Sequence, residues 1–91
     1  MGIVKINIPS YMQRFTDSME VVEVSGSTVG KCLNYLVKQF PGIKGRLFSK
    51  NGDLFENVII SVNGESAYPE QLAKPVKEGD ELNILFIIGG G

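Results

Sequence analysis

The sequence predicts an α+β domain: a mixed sheet of four to five strands with one main helix laid across one face. Three observations lead there. Val29 to Phe40 carries apolar residues at helical spacing, short β-branched runs lie before and after it, and turn dipeptides such as Asn63-Gly64 separate them. With 91 residues, 43% of them hydrophobic, the chain holds material for one core and not for two.

Ile3, Val4, Ile6 and Ile8 make the first strand, residues 3–8, which Pro9 stops because proline brings no amide donor. The run is dense enough for a central strand. Residues 10–19 show no clean period and read as a long hairpin connection whose Tyr11 and Phe15 pack over one end of the core. A second strand covers residues 20–24. Ser25 to Thr28 then supplies cap chemistry, since a hydroxyl oxygen there accepts from the orphan amides of a first helical turn. Val29, Cys32, Leu33, Leu36, Val37 and Phe40 share one face of the following helix, Lys31, Asn34, Lys38 and Gln39 the other, and Pro41-Gly42 ends it.

Residues 43–55 are irregular and read as a surface connection pinned by two or three apolar contacts, with a turn at Asn51-Gly52. Val58 to Val62 is a strand closed by Asn63-Gly64, a strong tight-turn signal. Glu65 to Tyr68 reads as a short edge strand, Pro69 to Leu72 as one helical turn and Lys77 to Asp80 as a turn. Leu82 to Ile88 is the most hydrophobic run and reads as an interior strand. Its alternation puts Leu82, Ile84 and Phe86 on one face and Asn83, Leu85 and Ile87 on the other. Strand, strand, helix, strand, short strand, strand is the β-grasp arrangement. The domain takes residues 1–88, and Gly89-Gly90-Gly91 is a flexible tail. No element covers the sheet's second face, where Ile59, Leu85 and Ile87 point, and an apolar patch left open on a small domain is a surface for a partner.

Composition removes whole classes of function. Nine Lys and Arg against ten Asp and Glu give a net charge of −1, too little positive charge for a protein that binds by neutralising phosphates, so no nucleic acid is expected. One cysteine and no histidine exclude an internal disulfide, the usual zinc spacings and every imidazole triad. No metal or cofactor is expected on the chain, and a reducing cytoplasm is its default compartment. No apolar run approaches the roughly 20 residues that span a bilayer, and the amino terminus lacks the charged, apolar and small-residue regions of a signal peptide.

Few residues offer chemistry. The terminal glycines bury nothing and are costly to order, yet a chain without Cβ atoms enters a channel that excludes bulkier residues. The reactive group at the end is the Gly91 α-carboxylate. With a pKa of roughly 3.3–3.7 it is ionised and a poor electrophile until a nucleotide phosphate activates it, after which sulfur or amine attacks the carbonyl. The plain alternative is a frayed end without a role. Cys32 sits in the apolar stripe of the helix with no base to activate it, and reads as a small core residue. Gly26 to Lys31 looks like a phosphate loop, but its glycines are one residue too close and Cys32 follows the lysine. Lys44, Arg46 and Lys50 are either a dock for an acidic surface or a solvated loop. Glu78, Asp80 and Glu81 provide neither a paired-carboxylate cleft nor a calcium loop.

Thr28-Val29 opening a helix, Phe40-Pro41-Gly42 closing it, Val62-Asn63-Gly64-Glu65, the Lys77 to Leu82 segment and a terminal diglycine, in order and at matching spacing, resemble the MoaD/ThiS family of ubiquitin-like sulfur carriers. The likeness covers essentially the whole chain and is nearest to MoaD-like proteins and carriers serving cysteine biosynthesis. It implies a carrier and not an enzyme. An adenylating partner related to ubiquitin activators would use ATP on the Gly91 carboxyl, which sulfur then converts to a thiocarboxylate. A second partner, such as the large subunit of molybdopterin synthase or a cysteine-forming enzyme, would accept the sulfur for molybdopterin, cysteine, thiazole or thiolated tRNA. By position Gly90 and Gly91 match the family's diglycine, and Phe86, Ile87 and Ile88 match the segment that contacts the adenylating enzyme. Gly89 replaces a small side chain and Phe86 stands where many relatives have proline, which implies a looser tail whose root is stiffened by packing. A modifier conjugated to lysines and a binding module with an inert tail are the competing readings.

Overall fold

Alternating apolar residues produce five strands: β1 (Ile3–Asn7), β2 (Val21–Ser25), β3 (Val58–Val62), β4 (Glu65–Ser66) and β5 (Glu81–Phe86). The computed structural model describes residues 2–87, so the expected strand end at Ile88 and the tail Gly89-Gly90-Gly91 lie outside the described residues. The strands form one mixed sheet in the order β2-β1-β5-β3-β4. β5 is central, parallel to β1 and antiparallel to β3. The most apolar run of the sequence thereby takes the position with a neighbour on each side, and the edges go to β2 and to the two-residue β4.

The helix α1 (Val29–Gln39) lies on the inner face. Thr28 caps it, its Oγ1 accepting from the Lys31 amide at 3.2 Å. Val29, Cys32, Leu33 and Leu36 are buried with Val4, Ile6, Val22, Val24, Ile60, Leu82 and Ile84, and Val37 and Phe40 close the margin. Each such Val, Leu or Ile contributes about 1.5–3 kcal/mol relative to exposure, so the stripe and the inward strand faces carry the fold.

Two connections hold more order than their patterns predict. Residues 10–19 contain a 3-10 turn, Ser10–Phe15, that buries Met12. The stretch read as a surface connection begins with a 3-10 turn, Pro41–Ile43, that runs into a short helix, α2 (Lys44–Leu47). Its Ile43 and Leu47 are fully buried, so the segment is part of the core wall. A helix of four residues is too short for the 3.6-residue period to register, which is why the pattern looked irregular. The remaining turns follow their residues: Asn63 (φ 52°) and Gly64 (φ 87°) make the paired positive-φ turn that joins β3 to β4.

Among the described residues no helix is long and apolar enough to cross a membrane, and no group of three or more His, Cys, Asp and Glu side chains is placed to hold a metal ion.

Candidate functional site at the root of the C-terminal tail

The end of β5 is where the chain leaves the sheet. β5 pairs with β3 from Leu82 opposite Val62 to Phe86 opposite Val58, and the Ile87 amide donates to the Asn57 carbonyl at 2.8 Å, extending the ladder by one residue. The last described residue is therefore tied by its backbone to the residue before β3, which makes it a fixed exit from the sheet.

Side chains at this exit divide by face. Leu85 and Ile87, 50% and 51% exposed, point to the uncovered side of the sheet, where Ile59 stands directly opposite Leu85 across the β3–β5 ladder. An open groove of about 480 Å³ runs from there along the outer edge of β3, between Leu54 and Glu56 on one side and Ala67, Tyr68 and Gln71 on the other. Elsewhere the open face mixes polar side chains with the exposed Ile3 and Val21. Lys5 lies beside Glu81 and Asn7 beside Asn83 in the parallel register, with Asn7 Nδ2 donating to Asn83 Oδ1 at 3.0 Å and to Glu81 Oε2 at 3.2 Å. The patch of Ile59, Leu85 and Ile87 thus lies at the end of the face where the described part of β5 stops. Of the proposed partner-binding residues, the structure brings Ile59, Leu85 and Ile87 together. Phe86 is turned to the opposite face, where its ring meets the edge of Tyr11 at 5.3 Å and 89°. Ile88, Gly89, Gly90 and Gly91 lie outside the described residues.

The other end of β5 is clamped by a bracket that sequence reasoning did not find. Asp80 Oδ1 accepts from Asn63 Nδ2 and its Oδ2 from the Lys77 amide, both at 2.9 Å. Asn63 in turn accepts from the Glu81 amide at its Oδ1, 2.9 Å, and donates its own amide to the Glu81 carbonyl, 2.8 Å. The Asn63 side chain, then the Lys77 amide, hold the Asp80 carboxyl below its usual pKa of 3.8. Two turns distant in sequence are locked together at the start of the strand that ends in the tail. The signals were Asn63 and Asp80 themselves, each read only as a local turn residue.

Cys32 is buried, with its Sγ 3.7 Å from the Gly26 carbonyl. Burial, and next the negative charge of Asp80, push its thiol up, so it does not supply a thiolate. Lys31, the lysine of the phosphate-loop look-alike, is an exposed residue on a capped first turn. Of Lys44, Arg46 and Lys50, Arg46 has its guanidinium over the Phe15 ring at 5.1 Å.

A fixed exit beside an exposed apolar patch suits a chain that docks on a partner. Comparison with known proteins agrees. Residues 6–91 match the model of the ThiS family. The sulfur carrier protein CysO of Mycobacterium tuberculosis is 33% identical over 91 residues, covering 97% of this chain and 98% of that one. Small archaeal modifier protein 1 of Haloferax volcanii is 35% identical over 71 residues, 77% of this chain and 78% of that one. In structure, a chain of the Amycolatopsis orientalis BexX/CysO complex superposes with a TM-score of 0.87 at 31% identity, covering 97% of this chain and 99% of its own. The β-grasp arrangement read from the element order is the ubiquitin-like fold of these neighbours, and the chain belongs to the ThiS family.

Proposed function

We propose that this protein carries sulfur on its C-terminal glycine as a non-enzymatic cosubstrate. The observation that carries this reading is the family match running through residue 91, diglycine included, alongside 33% identity to a protein named as a sulfur carrier over nearly its whole length. In the first step a Gly91 carboxylate oxygen attacks the α-phosphorus of ATP on an adenylating partner, and pyrophosphate leaves. In the second, hydrosulfide attacks the acyl-adenylate carbonyl. The new C–S bond replaces the C–O bond to AMP, which departs with the electron pair, and a proton is released. The thiocarboxylate is then the cargo for an acceptor enzyme. This chain contributes no acid, base or cofactor; it contributes the fixed exit at Ile87, the patch of Ile59, Leu85 and Ile87, and a tail slim enough for a narrow channel. The likeness to one chain of a BexX/CysO complex supports a reading in which the domain docks on a partner protein.

Incubation with a cognate adenylating enzyme, ATP and sulfide should give an intact mass in which one terminal oxygen is exchanged for sulfur. Deleting Gly91 should abolish the product. An unchanged product after that deletion refutes the reading. A second reading, in which the same acyl-adenylate meets a lysine amine, is favoured by the 35% identity to small archaeal modifier protein 1. Higher-mass covalent adducts on denaturing gels of cell extract, lost when Gly91 is deleted, would select it.

A further inference from the structure

On the side of the tail root opposite the apolar patch, two arginines from separate elements converge on one ring. Arg14 comes from the Ser10–Phe15 turn and Arg46 from α2, and their guanidinium carbons lie 6.0 and 5.1 Å from the centre of the Phe15 ring. Together with Tyr11, Met12 and Phe86 they line a recess of about 260 Å³. We infer that this recess receives a carboxylate side chain of the adenylating enzyme, so that the domain is gripped on both faces of β5. The inference rests on the carrier reading above.

Three features fit that occupant. A guanidinium lying over an aromatic face directs its attraction there through the ring quadrupole and keeps its in-plane N–H donors for a planar acceptor, the geometry of Arg–carboxylate recognition. Among the described residues, no carboxylate lines the recess, although the whole chain carries a net charge of −1. The site is thus a positive spot on a slightly negative protein. Its size suits one side chain; sites for ligands of drug or nucleotide size run to about 300–1,000 Å³. The third feature is reach. Gly91 is five residues beyond Phe86, a span of at most about 18 Å when fully extended. A protein that holds the Gly91 carboxyl in its active site therefore places that site within about 18 Å of the Phe86 backbone, within reach of the recess for a neighbouring part of its surface.

The test uses the full chain and the cognate adenylating enzyme. Affinity is measured by calorimetry and adenylation by ATP–pyrophosphate exchange, for wild type, Arg14→Gln/Arg46→Gln, Arg14→Lys/Arg46→Lys and a control at the far face of α1, Lys38→Gln. Wild-type affinity should fall as salt rises from about 50 to 500 mM, because the contact is between charges at a protein surface. The double Gln variant should bind about tenfold more weakly at low salt and lose most of that salt dependence. The Lys pair should recover only part of the affinity, and Lys38→Gln should match wild type. Urea midpoints report whether each variant is folded; should the double Gln variant not fold, the single variants and the wild-type salt series decide. Double-Gln affinity equal to wild type, tighter binding, or a salt-independent wild type overturns the inference while leaving the carrier reading intact. Absence of pyrophosphate exchange by wild type removes the carrier reading and this inference with it.

Discussion

Asp80→Asn isolates the bracket that starts β5. In the wild type the carboxylate accepts one hydrogen bond from Asn63 Nδ2 and one from the Lys77 amide, both at 2.9 Å. An amide in the same place keeps one acceptor oxygen and turns an NH₂ toward the other donor, so one charge-assisted bond is lost and the other becomes neutral. A hydrogen bond to a charged group contributes about 1.5–3 kcal/mol net and a neutral one about 0.5–1.5, which puts the expected loss at about 2.5–4.5 kcal/mol. For a domain of this size each kcal/mol moves the melting temperature by about 4–8 °C. The pH dependence supplies the sharper check. The folded-state pKa of Asp80 lies below the usual 3.8, so its contribution is fully present above 3.8 and disappears as pH falls through the lowered folded value. Urea midpoints of wild type and variant should differ by a constant amount from about pH 7 to 5 and converge below about pH 4, the other carboxylates cancelling between the two proteins. A gap that persists undiminished in acid, or no gap at neutral pH, would refute the bracket as the source of stability.

Leu36→Ala and Ile60→Ala, both in the buried layer between α1 and the sheet, should each cost about 2–5 kcal/mol in urea denaturation through the cavity left behind. Leu85→Glu, on the exposed face, should cost at most about 1.5 kcal/mol of stability, the half of its side-chain burial already made, and weaken binding to the adenylating enzyme, read by calorimetry beside the wild type. Cys32→Ala should support full thiocarboxylate formation in the mass assay. In the wild type, a thiol reagent should modify Cys32 only at denaturant concentrations that unfold the domain, since the side chain is fully buried.

What was legible in the residues is what repeats. The α1 stripe runs over three turns and the β5 alternation over six residues, so each pattern reads the same way from any of its members, and Thr28, Asn63-Gly64 and Pro41-Gly42 mark the ends by their own local geometry. α2 was hidden because four residues make barely one turn, and Ile43 and Leu47 were assigned to a loop although they are as buried as Leu36. The site divides in the same way. That Leu85 and Ile87 share a face follows from a period of two, and Phe86 falls on the opposite face by the same rule. The meeting of Arg14 with Arg46, or of Asn63 with Asp80, depends on how separate segments are brought together in space, and no local pattern encodes it. Phe86 stood out only as a substitution for proline, and its edge-to-face contact with Tyr11 joins two segments far apart in sequence.

The size of the patch has a consequence for how a carrier works. Leu85 and Ile87 are half exposed, leaving each about half of the 1.5–3 kcal/mol that complete burial of such a side chain contributes, and Ile59, less exposed, has less still to gain. Covering all three is therefore worth about 2–4 kcal/mol, no more than a dissociation constant of about 1 mM requires, before the entropic cost of association is counted. The patch alone does not hold a partner. A chain that must be loaded on one enzyme and unloaded on another needs such a contact, because a patch strong enough to hold the first would keep the carrier from the second. On the proposed reading, specificity and strength come from interactions that each partner would supply separately, namely its own channel around the terminal glycines and, on the adenylating enzyme, the carboxylate inferred to meet Arg14 and Arg46. On this argument an acceptor enzyme without that carboxylate binds wild type and Arg14→Gln/Arg46→Gln alike, while Leu85→Glu weakens binding to both enzymes, and calorimetry with each separates the shared contact from the private one.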